Sequence, residues 1–217
     1  TKWGMEMAHI ACIDINSQQA LHYKANQKPS KLQKETPRHY YARIIIEQKQ
    51  ALKQVNNISV QDAYFSKKSF VDPMVEADFE VISRYRHDGV FRYPYLGLPK
   101  GAKGKNIGKG KGSGGGRPKT YDGVVDMRQL SEEHFTPCFK DEGQIGYEAK
   151  LHAKALKRWV KVVVVHNLDD NDKIKSHSIY FSTNLQRSGM DIMLYYRLRF
   201  QQEFLFRDAK QHLGLNH

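Results

Sequence analysis

Between Gly97 and Lys119 the chain carries nine glycines and seven Lys/Arg residues, with no Asp or Glu among them. Such a stretch cannot build a core, because glycine has no side chain to bury and like charges repel. The 217 residues must therefore fold from what lies on either side of a solvated loop, as one domain carrying an insertion. The loop is either a solubilising linker or an arm lying along phosphates, each Lys displacing a condensed counterion. The whole chain has 35 Lys+Arg against 23 Asp+Glu, a formal charge of +12, which points first to a nucleic acid partner. Gly110, Gly112 and Gly115 satisfy GxGxxG, but a glycine run of this density matches almost inevitably. It neither follows a strand pattern nor opens a helix, so no nucleotide fingerprint is read from it.

Other classes fall away quickly. The longest apolar runs, such as Val162 to Val165, are far short of the ~20 residues of a membrane helix, so no membrane partner is expected. Cys12 and Cys138 form no CxxC pair, which fits a reducing compartment and excludes a disulfide scaffold or a Cys-based zinc site. Ten histidines include no HExxH and no His-x-x-Arg, against a zinc hydrolase and against a tyrosine recombinase using Tyr195 or Tyr196. Thr1-Lys2-Trp3-Gly4 has neither an initiator Met nor a secretory pattern, so a cytoplasmic fragment is expected.

Patterning predicts a strand over Met5 to Ile15 with Gln19 to Lys24 as its hairpin partner. Thr36-Pro37 opens a helix, Thr as N-cap and Pro in the first turn, whose Tyr41, Ile44, Ile45 and Leu52 recur at helical spacing through about Val55. A short strand, Ile58 to Asp62, ends on an acid. Ser66 to Ala77 reads as a helix that Pro73 should kink or shorten. Phe79 to Ser83, Val160 to His166 and Ser178 to Ser182 are further strands, and Ser188 to His212 is predicted as one long helix. The order indicates a mixed α/β layer fold. Asp169, Asp170 and Asp172 read as a turn, and Trp159 and the Tyr40-Tyr41 pair as packing residues.

The last helix carries the chemistry. At about 100° per residue, Tyr196, Arg199, Glu203 and Lys210 fall within roughly 60° of one another on its surface, with Leu194, Leu198 and Leu205 opposite. An ordinary amphipathic helix with an i,i+4 ion pair from Glu203 to Arg199 or Arg207 would look the same. Asp62, at a strand end, offers a second carboxylate that could converge with Glu203 across the top of a sheet. Converging carboxylates supply the hard oxygen ligands of divalent metals, and two Mg²⁺ about 3.5–4 Å apart can activate a nucleophile at a phosphodiester.

Tyr196-x₂-Arg199-x₃-Glu203-x₆-Lys210 resembles the Tyr-Arg-Glu-Lys signature of Asp-Asp-Glu transposases from bacterial insertion sequences. So does the surrounding run from Arg199 to Gln211. Asp62-Ala63-Tyr64-Phe65 is similar to the segment around the family's second catalytic Asp, and Val81-Ile82-Ser83-Arg84 to the strand that follows. Gly116-Arg117-Pro118-Lys119-x-Tyr121-Asp122-Gly123 shares the likeness, and its Gly-Arg-Pro core is similar to minor-groove arms in which Arg reads groove width.

The resemblance implies an α/β fold with an RNase H-like core, formed by 1–86 and 178–217 and interrupted by a β-rich insertion at 87–177 that holds the 97–119 loop. It implies Asp62 and Glu203 as catalytic residues and ligands of Mg²⁺, for which Mn²⁺ can substitute. Tyr196, Arg199 and Lys210, with Arg117 and Lys119, would contact DNA. The implied partner is double-stranded DNA, bound by a homodimer of the full-length protein in a bacterial cytoplasm, at the nucleoid. The implied reaction is nicking at transposon ends, followed by attack of the freed 3′-OH on target DNA.

The family's first Asp has no clear place. Asp14 is either that acid or a turn residue before Asn16-Ser17. Only two strands precede Pro37 where the implied core has three, so the first Asp is expected upstream of Thr1 and this fragment is expected to be inactive. A catalytically dead DNA-binding remnant and a host nuclease or resolvase with the same core remain as alternatives.

Overall fold

The computed structural model describes residues 6–32, 34–97 and 120–212. The basic loop from 98 to 119, with Arg117 and Lys119, lies outside the described residues. The described chain is a mixed α/β fold: one eight-stranded mixed sheet with helices on both faces, and a separate two-stranded hairpin.

The hairpin pairs β1 (Met7–Asp14) with β2 (Gln19–Gln27) from Met7↔Gln27 to Asp14↔Gln19, with a bulge at Ile10/Ala11. Helix α1 (Pro37–Glu47) begins as its cap predicts, the Thr36 hydroxyl accepting from the His39 amide at 3.4 Å. The single helix expected through Val55 instead breaks at Gln48, whose N–H donates to both Ile45 and Ile46 carbonyls before α2 (Lys49–Val55) resumes. Strand β3 (Ile58–Gln61) leads through a 3₁₀ turn, Ala63–Phe65, into α3 (Lys68–Glu76). Pro73 is accommodated inside α3 because the helix starts only five residues earlier, so its ring forfeits just one bond, to Ser69, near the helix start.

Strands β4 (Glu80–Tyr85), β5 (Phe91–Pro94), β6 (Tyr121–Val124), β7 (Thr136–Asp141), β8 (Gln144–Ala153), β9 (Arg158–Leu168) and β10 (Ile174–Ser182) complete the large sheet. Its order is β3-β4-β10-β9-β8-β5-β6, with β7 also on β8; β3 runs parallel to β4 and the other pairings are antiparallel. The strands of 87–177 thus continue the sheet that β3, β4 and β10 begin.

The run Val162 to Val165 lacks polar alternation because both faces of β9 are covered. Val162 and Val164 pack with Phe70, Val71, Met74 and Phe181 on one face. Val163 and Val165 pack with Ile192 and Met193 of α4 (Gly189–Leu198) on the other. The period-2 geometry of a strand makes consecutive residues serve opposite layers.

The predicted long C-terminal helix is corrected by the structure to two. Arg199 ends α4, and α5 (Gln201–His212) follows after a tightened turn. There Phe200 N–H donates to Arg197, Gln202 to Arg199 and Glu203 to Phe200, the i→i+3 pattern of a 3₁₀ turn. The cause is tertiary. α4 follows the sheet, whereas α5 leans on the hairpin, with Phe206 packed on the His9 ring (centroids 4.8 Å apart) and Gln202 Nε2 3.3 Å from His9 Nδ1. The expected apolar stripe is corrected with it: Leu198 is buried, but Leu194 is 41% exposed and α5 buries no residue fully.

Candidate functional site

Strands β1 and β3 face each other across a gap. Among the described residues, β1 pairs only with β2, and β3 only with β4. A cavity of about 200 Å³ is lined by every residue from His9 to Ile13 and from Ile58 to Gln61. It adjoins a second cavity of about 310 Å³ that shares His9, Ile10, Val60 and Gln61 and reaches Glu6 and Asp62. Together they form a slot with strand edges on two sides. Its walls come from α1 and α2 (Ile44, Ile45, Leu52) and from the α4–α5 junction (Leu198, Arg199, Gln202, Phe206).

Asp62 stands at one mouth of this slot. It is exposed, and its Oδ1 caps the 3₁₀ turn by accepting from the Tyr64 amide at 2.9 Å. Its backbone is fixed to β4, the Ser83 hydroxyl donating to its carbonyl at 2.8 Å. The second carboxylate oxygen has no hydrogen-bond partner among the described residues. Arg199 lines the same cavity as Asp62. Its guanidinium donates to Glu203 Oε1 at 3.1 Å and lies 5.5 Å from the Tyr196 ring centroid, while its Nε is buried without a partner among the described residues.

The structure therefore pairs Glu203 with Arg199 and places Arg199 and Asp62 on the lining of one cavity. It does not bring the four signature residues onto one helical face. Tyr196 and Arg199 belong to the end of α4, Glu203 to the first turn of α5 and Lys210 to its last, exposed turn. Tyr196 packs on Tyr180 with centroids 4.8 Å apart. Burial pushes its phenol above the ordinary tyrosine range, the Arg199 charge pulling the other way, so the hydroxyl stays a donor at neutral pH. Neither Tyr196, Glu203 nor Lys210 lines the cavity that holds Asp62.

Asp14 behaves as a turn residue. Its Oδ1 accepts from Asn16 N–H at 2.9 Å and its Oδ2 from the Ser17 hydroxyl at 2.8 Å, which holds its carboxyl below the ordinary range. It lines neither cavity of the slot. Asp169 is likewise a turn acid, accepting from the Asn171 and Lys173 amides.

Sequence reasoning missed Glu6, which shares the Asp62 cavity and is held by Lys28 and Tyr41, and Gln202, which lines both cavities. Glu6 and its partners are brought together by hairpin pairing and helix docking, which leave no trace in spacing. Gln202 stands beside Glu203 in the run from Arg199 to Gln211, but nothing in a helical wheel singles it out.

The donor set suits Mg²⁺ chemically: Asp62 and Glu203 offer hard carboxylate oxygens, and Mg²⁺ takes one or two carboxylates while keeping several waters. Among the described residues no three His, Cys, Asp or Glu side chains meet. No helix among them is long and apolar enough to cross a membrane. Compared with protein-family models and with curated proteins, the chain gives no match.

Proposed function

We propose that this chain is the catalytic region of a metal-dependent DNA transposase of the Asp-Asp-Glu class, built on an RNase H-like core. The observation that carries the reading is the position of Arg199, which shares a cavity with Asp62 and holds Glu203 by its guanidinium. A cation that lines the cavity of one carboxylate and pairs with a second could help to seat a phosphodiester beside metal ligands. The slot between β1 and β3 supports the same reading. Its two edges, unpaired among the described residues, flank the place the resemblance gives to the strand bearing the first Asp.

On this reading Asp62 and Glu203 would hold Mg²⁺, which when bound supplies an activated nucleophile and stabilisation of the leaving oxygen. Arg199 and Tyr196 orient the scissile phosphate through charge and a protonated phenol, contacts that position DNA without reading it. Lys210, one helix length further on, meets the backbone away from the cut. The partner is double-stranded DNA, bound by a homodimer in the full-length protein.

A second reading is favoured by one observation: Glu203 is in an exposed i,i+4 pair with Arg199, as an ordinary amphipathic helix would have it. That reading is a DNA-binding remnant without cleavage. The test is Mg²⁺-dependent nicking of a supercoiled plasmid by the protein. Metal-dependent nicks that vanish in Asp62→Asn support the transposase, and binding without nicking supports the remnant.

The basic loop is expected to contribute salt-sensitive, sequence-independent affinity on either reading. Replacing its six Lys and Arg117 by Ser should lower the slope of log K against log salt by about 0.9 for each phosphate no longer neutralised. An unchanged slope in a salt titration would make the loop a linker only.

A further inference from the structure

α4 leaves one part of its sheet face uncovered. Past Tyr196 the helix turns away, and a cavity of about 410 Å³ opens on the sheet beside it. Its floor is the start of β8 (Gln144), the end of β9 (Val165, Asn167) and the second half of β10 (Ser178, Tyr180), with Tyr196, Arg197, Arg199 and Phe200 along its wall. Pairing places these floor residues on one face: Gln144 lies opposite Asn167, Val165 opposite Ser178, and Tyr180 opposite Arg84 of β4. Arg84 reaches in from the rim, donating to the Ser178 hydroxyl at 3.3 Å. The lining contains no carboxylate. Acids approach only from outside, Asp141 on Arg197 at 3.5 Å and Glu203 on Arg199.

We infer that this trough is a track for the sugar-phosphate backbone of a DNA strand running from the candidate site across β4, β10, β9 and β8. The inference rests on the proposed function and adds to it a surface that the signature residues do not define. Three features carry it. The donors are cations, amides, a hydroxyl and phenols, the side chains that contact phosphate and sugar. Arg199 lines this trough and also the cavity of Asp62, so it stands between the two, and its buried Nε is a donor without a partner among the described residues. The track is also long enough. From Arg84 on β4 at the rim to Gln144 on β8, three strand spacings of about 4.7–4.9 Å give roughly 14 Å, the length of about four nucleotides at ~3.4 Å axial rise per strand. Tyr180, Tyr196 and Phe200 give the sugars an apolar wall.

The test is binding of the 217-residue chain to a fluorescein-labelled 20-base-pair duplex of arbitrary sequence, in EDTA, across a salt series. Arg84 and Arg197 are exposed, so Arg84→Gln with Arg197→Gln should leave folding intact. This pair should lower the slope of log K against log salt by about 1.8, about 0.9 for each phosphate released. Lys154→Gln with Lys157→Gln, exposed on the far turn between β8 and β9, should leave the slope unchanged. Asn167→Asp, which adds a carboxylate to the floor with little change of shape, should raise Kd about tenfold by like-charge repulsion. An unchanged slope in the arginine pair, an equal drop in the lysine pair, or no duplex binding by the parent chain would overturn the trough. Metal-free binding separates this from the nuclease reading. The slope effects with no Mg²⁺-dependent nicking would keep the trough and remove the transposase, and nicking without the slope effects would do the reverse.

Discussion

Arg187→Ala is expected to destabilise the fold by about 3–5 kcal/mol, the scale for removing one partner of a buried ion pair. Glu80, at the start of β4, is 7% exposed. Arg187 grips it with both ends of its fork, Nε to Oε1 at 2.9 Å and Nη2 to Oε2 at 2.6 Å. The Ser182 hydroxyl adds 2.7 Å to Oε1 and Asn184 Nδ2 adds 3.3 Å to Oε2. Burial pushes the Glu80 carboxyl up, but the bonds from Arg187 and Ser182 outweigh it and hold the acid below the ordinary glutamate range. A depressed folded-state value means that this stabilisation is present above the unfolded value, about 4.3, and is lost as pH falls through the folded one. In Arg187→Ala burial acts without the cation, so the sign reverses and the deficit should shrink as the medium is acidified through the glutamate range. Adding Glu80→Gln should recover part of the loss at pH 7, because no buried charge is then left alone. Urea unfolding at pH 7 and pH 4.5 reads all three effects. A deficit below about 1 kcal/mol would place the pair in the class of weak surface bridges.

Glu203→Gln is expected to cut Mg²⁺-dependent nicking by about 10²–10³-fold, the scale seen when one charge-stabilising group is removed from an active site. Duplex binding should persist, since the change removes a negative charge beside Arg199 rather than a cation. The same variant costs little stability, because an exposed i,i+4 pair contributes about 0.3–0.5 kcal/mol. The comparison is therefore clean: a surface partner would leave nicking near normal, and that result would return Glu203 to the ordinary amphipathic helix. The measurement is made at equal Mg²⁺, with thermal unfolding as the control.

Local signals in the sequence reached as far as elements and not to their junctions. The Thr36 cap, the hairpin and the β-branched run at Val162 to Val165 are written in short windows, and the structure forms all of them. The bend at Arg199 is not, because Tyr196 to Lys210 is helical by any periodicity, and what bends it is the docking of Phe206 on His9, almost two hundred residues away in sequence. The pairing of Glu80 with Arg187 is invisible for the same reason: strand, insertion and helix must all be placed before these two side chains meet. Asp62 was legible as a strand-end acid. That it shares a cavity with Arg199 was not, since the docking of α4 on β3 joins residues more than a hundred positions apart.

The hairpin has a consequence of its own. It belongs to no sheet but itself and is tied down by side chains, with Tyr40 donating to the Gln27 carbonyl, Gln202 against His9, and Ala8 buried with Tyr40 and Ile44. Lifting it breaks no rung of the large ladder. In hydrogen-exchange terms it is a small opening unit with its own free-energy gap, beneath that of the eight-stranded body. Tyr40→Ala or Phe206→Ala is then expected to speed amide exchange in the hairpin while leaving that of β9 unchanged.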